Sequence, residues 1–170
     1  MGMDVYGKNP TVHKSKDDFP VYVKYDDMTW PDREKHPDWE KEKDDYWIQY
    51  NEYEKANPGI YFRNNCWWWR PLWNYCAFVD RHYRLDIIDD DLHQSGHYND
   101  GAGLDEKDSM TLAMHLQMSL EDGTAKQYES EYKEEMEASD EEFAKSYPFN
   151  IENVADFAKF LEYSGGFMIN

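Results

Sequence analysis

Residues 60–73 read IYFRNNCWWWRPLW, and four of the chain's seven tryptophans fall within 67–73. Three consecutive side chains cannot share one face. They diverge by about 100° per residue on a helix and about 180° on a strand. At least one of Trp67, Trp68 and Trp69 is therefore expected to be partly exposed or to line a cavity, while the core closes around the rest. The remainder of the interior must share this character. Aromatic residues make up 17 % of the chain, charged residues 32 %, and mean hydropathy is -1.03. Trp, Tyr, Phe and Met thus supply more of the core than Leu, Ile and Val. The 170 residues suit a single compact domain.

The charge balance narrows the partners. With 36 acids against 18 bases the formal charge is -18. Such a field repels nucleic-acid phosphates and anionic headgroups and attracts basic protein surfaces or cations. Direct nucleic-acid binding is disfavoured unless the bases cluster on one face. No basic segment followed by an apolar run opens the sequence, and no stretch approaches a membrane span of roughly 18 apolar residues. Position 6 is Tyr, so the myristoylation pattern fails after Gly2. Cys66 and Cys76 alone, without a secretion signal, read as free thiols in the cytoplasm.

MDVYG reads as a short strand, and FPVYVKY as a second with Val21, Val23 and Tyr25 on one face. Tyr46, Tyr50 and Tyr53 are spaced i, i+4, i+7 ahead of Asn57-Pro58-Gly59, which predicts a helix with an aromatic stripe. Pro71 fits the first turn of another helix, with Leu72, Tyr75, Cys76, Val79 and Tyr83 inward. RLDIIDDDL reads as a strand entering a turn, and HQSGHYNDGAGL as a loop. Asp105 and Asn150 are expected N-caps, with Phe149 and Val154 forming a hydrophobic staple. Gly123 ends the first of these helices, and FMI follows the second as a terminal strand. Residues 121–142 hold ten acids and two lysines, as on a solvated helix face or a docking surface for a basic partner. The expected class is α+β: one domain over 1–170 with about four helices and a small sheet.

MGMDVYG, YFRNNCWWWRPLW, GHYNDGAGL and NVADFAKFLEYSGGFMI together resemble a family of small uncharacterised proteins of bacteria and their phages. The resemblance covers the first seven residues and most of 60–170. It implies a bacterial or phage origin and a cytoplasmic setting. It also implies that 11–57 is an elaboration within the domain. It carries no activity.

Familiar chemistries find no motif. G-x-S-x-G, H-E-x-x-H, G-x-G-x-x-G and the P-loop are all missing. His93 and His97 have metal-pair spacing only on a helix, and Gly96 argues against one. A calcium loop registered on Gly101 places Lys107 where a bidentate Glu belongs. No metal and no cofactor is expected. The strongest candidate site is a ligand pocket with two walls. One wall is Arg63, Asn64, Asn65, Trp67, Trp68, Trp69 and Arg70; the other is the loop bearing His97, Asn99 and Asp100. Indole faces and guanidinium forks suit a flat, anionic, partly apolar small molecule, and the amides fix its orientation. The alternatives are an acidic inhibitor of a basic host protein, with nucleic-acid mimicry conceivable, and an enzyme using His97 or Asp100 as acid or base.

Overall fold

A computed structural model describes residues 2–140 and 146–170. Its strands are β1 (Gly2–Gly7), β2 (Tyr61–Asn65) and β3 (Phe167–Ile169). Its helices are α1 (Pro20–Asp26), α2 (Trp30–Lys35), α3 (Trp39–Ala56), α4 (Cys66–Tyr83), α5 (Asp90–Ser95), α6 (Glu106–Glu121), α7 (Thr124–Ala138) and α8 (Ile151–Tyr163). The chain divides into two compact units, Met1–Thr11 with Gly59–Asn170, and Val12–Pro58.

The expectation of about four helices is overturned: eight occur among the described residues, so the protein is helix-rich with one small sheet. Two misread segments account for much of the difference. FPVYVKY forms α1, because Pro20 starts the helix and the Gln49 side chain accepts from the Val21 and Tyr22 N–H groups at 2.8 and 3.2 Å. Tyr22 and Tyr25 face inward at helical spacing while Val23 is exposed. β-Branched residues favour strands only weakly, and this tertiary cap overrides them. RLDIIDDDL forms no strand: Asp86 adopts a left-handed conformation, and Asp89 caps α5 by accepting from Leu92 N–H at 2.8 Å.

In the first unit β1 lies between β2 and β3, antiparallel to both, with Asp4 opposite Arg63 and Val5 opposite Phe62 and Ile169. Met3 and Val5 point into the core. Residues 101–104 cover the free edge of β3 through Gly101 N–H to Ile169 O, Ile169 N–H to Ala102 O and Phe167 N–H to Leu104 O, at 2.8–3.0 Å. α4 is the central helix. It buries Trp69, Leu72, Trp73, Tyr75, Cys76 and Val79, while Tyr83 remains half-buried. α6 packs closely on α8, with Ser109, Ala113 and Ala158 allowing the approach. Asp105 and Asn150 cap α6 and α8 as their sequence predicts. Within the acidic stretch, α7 turns Tyr132 and Met136 partly inward and exposes Glu131, Glu134, Glu135 and Glu137; residues 141–142 lie outside the described part.

The second unit has its own aromatic core of Phe19, Tyr22, Tyr25, Trp39, Tyr46 and Tyr53. Buried Asn57 closes it, accepting from His13 and Lys14 N–H and donating to Lys14 O and Tyr53 O.

Candidate functional site

α4 begins at Cys66, so Pro71 sits in its second turn rather than its first, where the missing N–H removes one helical bond. Asn65 is the cap, accepting from the N–H groups of Trp67 and Trp68 at 3.0 and 3.1 Å. The three tryptophans then part. Trp69 is fully buried, while Trp67 and Trp68 are half-buried. Trp69 and Trp73, one turn apart, stack with ring centroids 5.8 Å apart and planes 8° from parallel. Their indole N–H groups leave the core in one direction: Trp69 donates to Gly96 O at 2.7 Å and Trp73 to His93 O at 3.0 Å. Two buried indoles thus clamp the 93–97 segment onto α4. The clamp requires a glycine, since a Cβ on residue 96 would stand 2.2 Å from Trp73 Nε1.

The arginines have different partners. Arg63 lies on β2 beside Asp4, with Nε 3.4 Å from Oδ1, and Tyr61 donates to the same carboxylate. Arg70 donates to the Tyr147 hydroxyl at 2.7 Å, with its guanidinium 5.7 Å from that ring; Trp67 packs on the same tyrosine at 4.9 Å. Asn64 donates to the Asn153 side chain, Asn99 donates to Gly2 O, and Asp100 accepts from Ala102 N–H. Asn64 and Asn65 are therefore engaged in folding contacts, and Trp69 is core. The Arg70 guanidinium acts on His97 only at long range.

His97 and His93 meet, with ring centroids 5.3 Å apart: α5 ends at Ser95, and its C-cap Gly96, with φ -61° and ψ -7°, sets His97 just beyond the helix beside His93. His93 Nε2 lies 2.9 Å from Asn74 Oδ1; an amide oxygen only accepts, so this imidazole nitrogen donates. His97 Nδ1 is buried without a hydrogen-bond partner. Burial, then His93, then the Arg70 guanidinium push the His97 pKa down to about 4. Burial and Arg81 lower that of His93, against a smaller opposing effect of Asp90. Both rings are therefore mainly neutral at pH 7.

Beyond them the same face of α4 continues into a cleft of about 530 Å³ lined by Asn74, Phe78, Arg81, His82, His93 and Tyr128. Phe78 stacks on His82 at 5.5 Å and meets Tyr128 at 5.0 Å. Asn74, Phe78 and Arg81 were not among the residues singled out from the sequence; His82 entered there only as one of several histidines able to act as a base by coincidence of fold, and Tyr128 only as an inward residue of the acidic helix. The signal that finds them is the stripe Arg70, Asn74, Phe78, Arg81. Its i, i+4, i+8, i+11 spacing becomes visible once the helix is started at Cys66 instead of Pro71.

Among the described residues no group of three or more His, Cys, Asp or Glu side chains could hold a metal. Cys66 and Cys76 are both free, and burial raises the Cys76 thiol pKa. No described helix is long and apolar enough to cross a membrane. No family model matches the chain, and neither a curated protein nor a solved structure gives a match.

The depressed His97 pKa links stability to pH. Above pH 6.5 His97 is neutral in both folded and unfolded chains. Between pH 6.5 and about 4 the unfolded chain binds the proton that the folded chain rejects, so stability falls as pH falls through that window. His97→Gln should therefore narrow the difference in Tm between pH 7 and pH 5. An unchanged difference would show that the imidazole is solvated in the folded protein.

Proposed function

We propose that the protein binds a small anionic molecule along the exposed face of α4, in the cytoplasm of a bacterium or of a phage's host. One observation carries this reading. In a chain with twice as many acids as bases, the exposed residues of α4 are Arg70, Asn74, Arg81 and His82, and none is acidic. Asp80, the one acid of α4, is buried and accepts from Ile87 N–H at 2.9 Å. Among the described residues no carboxylate lies within ion-pair distance of Arg70 or Arg81. A guanidinium without a carboxylate, beside neutral imidazoles and aromatic rings, has its donors available for an incoming anion. On this reading the site lies along α4 rather than between the two walls expected from the sequence, and Arg63, which lies beside Asp4, is not part of it.

Amide spectra of the full chain titrated with inorganic phosphate and with benzoate test the reading. Shifts should concentrate on α4 and residues 93–97 and should disappear in the Arg70→Ala/Arg81→Ala variant. Shifts scattered elsewhere, or persisting in that variant, would remove its basis.

A second reading, an acidic protein that occupies a basic partner surface, is favoured by α7, whose exposed side includes Glu131, Glu134, Glu135 and Glu137. It requires binding that weakens steeply with salt and does not depend on Arg70 or Arg81.

A further inference from the structure

The cleft between α4, α5 and α7 has a composition that narrows the ligand class, given the binding reading above. Its nitrogen donors are Arg81, His82 and the Asn74 amide, all on α4, with His93 lining the cleft from α5 and bonded to Asn74 Oδ1. One side is aromatic. Tyr75, Phe78 and His82 form a column along α4, with successive rings 5.7 and 5.5 Å apart and 22° and 24° from parallel. Tyr128 closes the side from α7, and its ring also meets Tyr75 at 4.8 Å. Tyr75 is held by its hydroxyl, which donates to Ser119 Oγ at 2.8 Å in the core, so the column has a fixed base. The cleft volume of about 530 Å³ falls within the range of small-molecule sites.

Among the described residues no carboxylate lies within ion-pair distance of Arg81. Asp122 keeps its charge near His82, with its two oxygens accepting from the Tyr83 hydroxyl at 2.7 Å and from Thr124 N–H at 2.9 Å. Asp90 acts on His93 only as the weakest of its neighbours. Arg81, His82 and the Asn74 Nδ2 amide are three separate donor side chains, which suit the three terminal oxygens of a phosphate better than the two coplanar oxygens of a carboxylate. A ring set against an aromatic wall adds stacking that is largely indifferent to ring identity.

We propose that the Asn74–Phe78–Arg81–His82–His93–Tyr128 cleft takes a phosphate monoester carried on a flat ring system, the chemical class of the nucleoside monophosphates. The phosphate lies against Arg81, His82 and Asn74 Nδ2, and the ring lies along Phe78 and Tyr128. His93 positions Asn74 by donating to Oδ1, which leaves Nδ2 to donate to the phosphate.

Calorimetric titration of the full chain with adenosine 5′-monophosphate, adenosine, inorganic phosphate and benzoate tests this. The monophosphate should bind about tenfold or more tightly than adenosine or phosphate alone, because both halves contribute. Arg81→Ala should bring the monophosphate down to the level of adenosine. Phe78→Leu, which keeps most of the volume, should weaken the monophosphate by about tenfold and leave phosphate unchanged. If benzoate binds as tightly as the monophosphate and depends on the same residues, the ligand is a carboxylate; the phosphate assignment fails and the anion-binding reading survives. If the monophosphate binds but ignores Arg81→Ala, the assignment of the cleft fails. If none of the anions binds, both the assignment and the reading beneath it fail.

Discussion

Trp69→Ala is expected to lower the stability of the protein by about 3–5 kcal/mol, the usual cost of emptying a large aromatic site in a core. Trp69 is fully buried, stacks on Trp73 and meets Phe157 edge-on at 5.4 Å. Its loss also strands the Gly96 carbonyl, which accepts the indole proton. Trp69→Phe separates these contributions. It keeps a ring in the stack and removes the donor, so it should cost less, about 1–3 kcal/mol for an unsatisfied buried polar group. Denaturant midpoints of the two variants check the ordering. Equal and small losses would mean that the indole neither fills the core nor holds the 93–97 segment.

Gly96→Ala is expected to have the largest effect on binding for its size. The added Cβ meets atoms of the Trp73 indole at 2.2–2.8 Å, and that ring is pinned by its stack with Trp69. Relief requires the 93–97 segment to move outward, which breaks Trp73 N–H to His93 O and withdraws His93 and His97 from α4. Overpacking of this kind costs about 1–3 kcal/mol. The protein should therefore remain folded while losing anion-dependent shifts on α4. Gly101→Ala is the control: its Cβ meets nothing within 4 Å, although its φ of +92° strains any side chain. If Gly96→Ala binds anions as the unmodified chain does, the cleft does not depend on the histidine segment.

The sequence spoke clearly where a local signal was complete. The caps at Asp105 and Asn150, the tyrosine stripe of α3 and the strands at both ends all needed only neighbouring residues. It misled where the deciding partner was distant. Nothing within FPVYVKY announces that Gln49 will cap it, so its valines and tyrosines read as strand. Pro71 read as a helix start because prolines prefer that place, yet Asn65 had already begun the helix with a stronger cap. That shift of one turn hid the Arg70–Arg81 stripe. The candidate site was accordingly legible in part. The tryptophans and the histidine loop do meet, but through indole protons and backbone carbonyls rather than through facing pocket walls. Arg63 was grouped with Arg70 by proximity in sequence; Asp4, opposite it in the sheet, takes it elsewhere.

The strand order has a consequence for the timing of folding. Tyr6 pairs with Tyr61 on one side of β1 and with Met168 on the other, so neither ladder is a local hairpin. The second ladder joins residues 5–7 to residues 167–169. During synthesis β1 leaves the ribosome well before β3 and must wait for it before its second edge is paired. Val12–Pro58, whose aromatic core is drawn from neighbouring residues, has no such wait. Of the three strands the first made is thus the last to be fully paired, and no nascent chain that stops short of residues 167–169 can close the sheet.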